Sequence, residues 1–155
     1  MMIANGSNTG AKVLVVDYSP SGRDSIIADL EFGGFVVVGV SGGETALETL
    51  GVIKFDLVLI DLMMPGMNGL QLARKIRELF PLVKTMLMSS YLLSPIQLAK
   101  VDVGVIGFVP KPYNARKLVW FIRGKIETLC IEDSVVQDAM GGAGFFAHGS
   151  CPVAL

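Results

Sequence analysis

The chain is poor in the features that mark several protein classes. Among 155 residues, only 17% are charged and 8% aromatic, with one histidine, one tryptophan and two cysteines. Thirteen basic residues face fourteen acidic ones, a formal net charge of -1, so there is no basic excess to mark a nucleic-acid binder. Cys130 and Cys151 form no CxxC pair and no disulfide framework, a usage that fits a reducing cytoplasm. No apolar run approaches the roughly 20 residues that a membrane helix needs. The start, Met1 to Gly10, has neither a charged n-region nor an apolar core; it lacks the pattern of a signal peptide and reads as a flexible arm. His148 lies near the end, so no folded element carries a histidine that could donate a phosphoryl group.

What the chain does have is apolar content, 52%, enough for one well-filled domain at this length. Strand and helix signals alternate. Lys12 to Asp17 is a β-branched run ending in an acid, and Ser19-Pro20 supplies an N-cap and a proline suited to the first helical position. That helix runs to about Phe32, where Gly33-Gly34 stops it. Phe35 to Val40 is a second strand, and Ser41-Gly42-Gly43-Glu44 has capping-box spacing for a second helix. Asp56 to Ile60 reads as a buried third strand. Leu70, Ala73, Ile76 and Phe80 recur at helical spacing after the Met64-Pro65-Gly66 turn. Thr85 to Met88 and Val105 to Val109 are further strands, with a weak helix expected over Ile96 to Val101 between them. Leu118, Val119, Ile122, Ile126 and Leu129 give a last helix its apolar face. The pattern predicts an α/β fold: a doubly wound, five-stranded parallel sheet flanked by five helices, flavodoxin-like, in a single domain over residues 11–129. Residues 130–155 read as a tail with at most one short helix, around Glu132 to Met140, and are too few for a helix-turn-helix output domain. Arg116, Lys117, Arg123 and Lys125 read as a solvated stripe on the last helix.

Four strand ends carry polar groups: Asp17, Asp61, Ser89 and Lys111. In a doubly wound sheet these ends share one edge, where sites are built. Two carboxylates suit a hard divalent ion such as Mg2+. Lysine and hydroxyl groups suit phosphoryl oxygens, and a carboxylate can itself act as a nucleophile and form an acyl phosphate.

The segments Val15-Val16-Asp17, Asp61-Leu62-Met63-Met64-Pro65-Gly66-Met67-Asn68-Gly69, Ser89-Ser90 and Gly104-Val105-Ile106-Gly107-Phe108-Val109-Pro110-Lys111-Pro112 together resemble the receiver domain of two-component response regulators, over about residues 11–125. The resemblance implies a stand-alone signalling switch rather than a conventional enzyme. Asp61 would take a phosphoryl group from a histidine kinase or phosphotransfer protein. Met63 would offer a backbone carbonyl to Mg2+ beside Asp17 and Asp61. Ser89, Ser90 and Lys111 would bind the phosphoryl group, Ser89 and Phe108 would form the switch, and the bond before Pro112 would be cis. The surface of the fourth helix, fifth strand and fifth helix, with apolar Tyr91, Leu92 and Leu93 beside it, would meet a downstream protein or a second copy. No nucleic acid and no membrane are expected as partners. One position departs from the family: Tyr18 stands where a second acid normally ligates Mg2+, so metal binding is expected to be weakened or lost. That departure motivates an alternative, a non-phosphorylated pseudo-receiver acting as an interaction module. Asp17 could also be read as the nucleophile of a haloacid-dehalogenase-like phosphatase, but the acid needed two residues on is Ser19.

Overall fold

The computed structural model describes residues 10–91, 94 and 104–135. The expected helix over Ile96 to Val101, the apolar Leu92 and Leu93, and everything beyond Val135 lie outside the described residues. Five strands, β1 (Lys12–Val16), β2 (Val36–Val40), β3 (Leu57–Asp61), β4 (Lys84–Ser89) and β5 (Val105–Pro110), form one parallel sheet in the order β2-β1-β3-β4-β5. Among the described residues four helices accompany them: α1 (Pro20–Phe32), α2 (Gly43–Val52), α3 (Gly69–Leu79) and α4 (Ala115–Val135). The last helix passes the expected stop at Leu129 without a break.

The strand sequences account for the layering. Successive side chains point to opposite faces of a strand, and here both faces are apolar. Leu14, Val16, Val58, Ile60, Leu87 and Phe108 face one way, against Ala46 and Leu50 of α2 and Leu72, Ala73 and Ile76 of α3. Val13, Val15, Leu57, Leu59, Met86, Met88 and Val109 face the other way, against Ile26 and Leu30 of α1 and Leu118, Phe121 and Ile122 of α4. A strand buried on both faces must read as a continuous apolar run, as β1 and β3 do. Each buried Leu or Ile contributes about 1.5–3 kcal/mol through removal from water.

Helix starts are set as much by backbone packing as by capping chemistry. Ser19 caps α1 as its sequence predicts, its Oγ accepting from the Gly22 N–H at 3.3 Å. The capping box expected at Ser41–Glu44 does not form. The N-cap of α2 is Gly42, which has no side chain to offer, because the helix begins a residue later than that spacing assumes. A capping box forms instead on α3. Asn68 Oδ1 accepts from the Gln71 N–H at 2.9 Å, and Gln71 Oε1 accepts from the Asn68 N–H at 3.0 Å. The solvated stripe on α4 also needs correcting at Arg123. Its Nη2 donates to the Gly33 carbonyl at 2.6 Å, and its guanidinium lies 5.9 Å from the centre of the Phe35 ring. This arginine ties the last helix to the turn that ends α1.

Candidate functional site

The strand order reverses direction between β1 and β3, so the connections leaving these two strands run to opposite faces and open a crevice at their carboxyl ends. Main-chain bonds carry the ladder past the strand ends and fix the site residues there. The Asp17 N–H donates to Val40 O at 3.1 Å, the Leu62 N–H to Met88 O at 2.8 Å, and the Lys111 N–H to Ser89 O at 2.8 Å. The bond between Lys111 and Pro112 is cis.

Three side chains distant in sequence meet at this edge. Lys111 Nζ lies 3.1 Å from Asp17 Oδ2 and 3.1 Å from Asp61 Oδ2, donating a charge-assisted hydrogen bond to each. Asp17 is fully buried, whereas Asp61 keeps 13% of its side chain exposed and Lys111 22%. The other carboxylate oxygens are held locally: Asp17 Oδ1 accepts from the Ser19 N–H at 2.8 Å, and Asp61 Oδ1 from the Met63 N–H at 3.0 Å. Burial alone would lower the Lys111 pKa, but the hydrogen bonds and charges of Asp17 and Asp61 outweigh it and raise the pKa above its ordinary value. The ammonium is therefore held charged.

The turn after Asp61 is shaped by two glycines. Gly66 has φ of +74°, the left-handed region that favours glycine. At Gly69 the constraint is space: a Cβ there would lie 2.6 Å from the Asp61 carbonyl oxygen and 2.7 Å from Leu62 Cα. The first turn of α3 thus rests directly on the backbone of Asp61.

The remaining expected residues divide. Ser89 is buried on the same edge, and its Oγ accepts from the Tyr91 N–H at 3.0 Å. Ser90 is exposed. Phe108 is buried in the sheet face that includes Leu87 and Ile60. Met63 and Tyr18 are exposed. Sequence reasoning missed three neighbours. Arg23 Nη1 donates to the Asp17 main-chain carbonyl at 2.7 Å and holds the loop that carries this acid. Gly22 packs so closely that a Cβ would lie 3.1 Å from Asp17 Oδ2. Tyr113 OH donates to Asp29 Oδ2 at 3.1 Å, beside a cavity of about 320 Å³ that Lys111 also lines. Only the positions of Gly22 and Arg23 in the first turn of α1 were readable beforehand.

The donor set fits a hard cation. A carboxylate offers about four lone-pair sites, and each of these uses two, so oxygen capacity remains on both acids. Magnesium is commonly held by one or two carboxylates with water and phosphate oxygens completing the shell. Among the described residues no group of three or more His, Cys, Asp or Glu side chains comes together as a metal site, and the neutral phenol of Tyr18 adds no anionic ligand.

Comparison with known proteins points one way. The family model described as "Response regulator receiver domain" matches residues 13–123. The response regulator MprA of Mycobacterium ulcerans is 26% identical over 129 residues, covering 83% of this chain and 56% of that protein. The chain thus spans about half the length of this curated relative. A CheY-like receiver domain protein from Methanospirillum hungatei superposes with a TM-score of 0.73 at 27% identity, covering 79% of this chain and 98% of the other. The response regulator TrrA of Thermotoga maritima, solved in complex with Mg(2+)-BeF, gives 0.68 at 28% identity over 75% of this chain and 98% of that one.

Proposed function

The chain belongs to the response regulator receiver domain family of two-component signalling, and from that premise we propose that it accepts a phosphoryl group on Asp61 and passes the change to a protein partner. The observation that carries this reading is the Lys111 ammonium at 3.1 Å from both Asp17 Oδ2 and Asp61 Oδ2. A nucleophile, a second acid and a fixed cation stand together at a partly open sheet edge.

The transfer is a displacement at phosphorus. An Asp61 carboxylate oxygen forms the new O–P bond, and the N–P bond of a donor phosphohistidine breaks. The bonding pair returns to the imidazole nitrogen, which takes a proton from solvent. Lys111 sits where negative charge accumulates on the phosphoryl oxygens and offsets it without reorganising. Asp17, Asp61 and the Met63 carbonyl would hold Mg2+, which when bound supplies further charge neutralisation. Ser89 and Ser90 would offer hydroxyl donors. Ser89, whose Oγ now accepts from the Tyr91 N–H, would donate its O–H to a phosphoryl oxygen, and Phe108, packed with Leu87 and Ile60, would respond by repacking. That pair is a two-state element biased by a single charge-bearing group. The partners are a histidine kinase or phosphotransfer protein upstream and a protein, or a second copy of the chain, reading the surface of β5 and α4 downstream. The setting is the cytoplasm. Among the described residues no helix is long and apolar enough to cross a membrane.

Incubation with acetyl phosphate and magnesium, followed by intact-mass measurement, tests the reading. One added phosphoryl group is expected, absent in Asp61→Ala; no adduct, or one that persists in the variant, overturns it. Tyr18 favours a second reading, a pseudo-receiver that binds its partner without phosphorylation. Partner binding unchanged by Asp61→Ala, combined with no adduct, would establish that reading instead.

A further inference from the structure

We infer that Tyr18 sets the order in which this pocket fills: the divalent cation does not load beforehand but enters together with the phosphoryl group. The inference rests on the reading of Asp61 as phosphoacceptor and concerns the regulation of that same site.

The argument starts from charge. Asp17 and Asp61 contribute two negative charges and Lys111 one positive, which leaves the pocket one net negative charge. Arg23 does not alter this pairing, because its guanidinium is bound to the main-chain carbonyl of Asp17 and to neither carboxylate. A magnesium ion added alone would turn the pocket to one net positive charge, next to an ammonium already 3.1 Å from both candidate ligands. A phosphoryl group added alone would deepen the negative charge by one, since a singly charged carboxylate becomes an acyl phosphate with two. Both together bring the pocket to neutrality. Since Asp17 is fully buried and Asp61 keeps only 13% of its side chain exposed, imbalance is screened less by solvent than it is at a surface.

Ligand count leads to the same result. Two carboxylates are few anionic donors for a resident hard cation. They become sufficient when a phosphoryl oxygen joins them, the arrangement magnesium commonly takes. An acid at position 18 would change both counts, adding a ligand and making the empty pocket doubly negative. Tyr18 has 59% of its surface exposed and stands between Asp17 and Ser19, whose N–H closes the loop on Asp17 Oδ1 at 2.8 Å. Position 18 therefore adjoins the pocket, and its side chain supports no core packing that a substitution would disturb.

Calorimetric titration with magnesium chloride, with and without beryllofluoride as the phosphoryl probe, tests this on the intact chain. For the unaltered protein, magnesium alone is expected to bind so weakly that it does not saturate in the millimolar range. Beryllofluoride should strengthen magnesium binding by roughly tenfold or more, within the usual range of coupling between sites. Tyr18→Asp should raise the affinity for magnesium alone by roughly tenfold or more, whereas Tyr18→Phe, which changes no charge, should leave it unaltered. Saturation by magnesium alone at or below millimolar concentration overturns the inference, and so does a Tyr18→Asp variant that folds normally by circular dichroism yet gains no affinity. If an adduct still forms on Asp61 in either case, only the filling order is wrong. If beryllofluoride binds at no magnesium concentration and acetyl phosphate gives no adduct, the phosphoacceptor reading falls as well.

Discussion

At the scale of single residues, the pocket is held by hydrogen bonds whose charge states can be probed. Lys111→Met keeps the aliphatic stem and removes the ammonium, leaving Asp17 buried beside Asp61 with no cation between them. Hydrogen bonds to charged groups contribute about 1.5–3 kcal/mol each, but like-charge relief by solvent at the partly open Asp61 will offset part of that. A loss of roughly 1–3 kcal/mol at neutral pH is expected in urea unfolding. Tyr113 offers a test at alkaline pH. Its pKa is raised to about 12, chiefly by burial; the bond to Asp29 adds to the rise and a hydrogen bond with Ser25 opposes it. The folded state therefore holds the phenol proton more tightly than the unfolded chain, where its pKa is near 10.0. The linked stability is full below pH 10 and is lost as pH rises from 10 toward 12. Unfolding midpoints measured across that window should fall for the unaltered protein and fall less steeply for Tyr113→Phe. An equal slope in both would show that Tyr113 carries none of the effect.

At the scale of elements, what could be read from the sequence depended on whether the cause was local. The apolar runs of β1 and β3, the Ser19-Pro20 start of α1 and the Pro65-Gly66 turn express local steric and burial constraints, and they were legible. So was the later Lys111-Pro112 position, because it too closes a strand. The α2 start was misread because Ser41-x-x-Glu44 matches a capping box by spacing alone, while the structure starts that helix at Gly43, packed beneath Met67. The box on α3 was overlooked although Asn68-x-x-Gln71 has the same spacing. The bonds from Arg23 to the Asp17 carbonyl, from Tyr113 to Asp29 and from Arg123 to Gly33 were out of reach. The last two join residues 84 and 90 positions apart, and no local pattern encodes such a meeting. The α3 cap makes the element-scale prediction. Asn68→Ala removes the acceptor for the Gln71 N–H and should cost about 0.5–2 kcal/mol. Because Gly69 rests on the Asp61 carbonyl, fraying of that first turn should also speed amide exchange at Leu62 and Met63. Unchanged exchange there would mean that the turn after Asp61 holds its shape without help from the helix.

At the scale of the whole molecule, one sheet serves two cores, and this decides how a local defect spreads. Leu59 and Ile60 are neighbours in β3 and both are fully buried, yet they point to opposite faces. The central pair β1 and β3 contributes side chains to both clusters, so neither helical layer can lose its packing while the sheet stays intact. Truncating either residue to alanine opens a cavity and should cost about 2–5 kcal/mol. If the two layers were independent, Leu59→Ala would weaken protection only in α1 and α4, and Ile60→Ala only in α2 and α3. A shared sheet predicts otherwise: each variant should lower the opening free energy of the slowest amides on both sides by the same amount, with a single unfolding transition. Native-state hydrogen exchange distinguishes the cases residue by residue. Equal losses on the two faces would show that both helical layers unfold with the sheet as one cooperative unit. Losses confined to one face would show instead that the two layers open independently of each other.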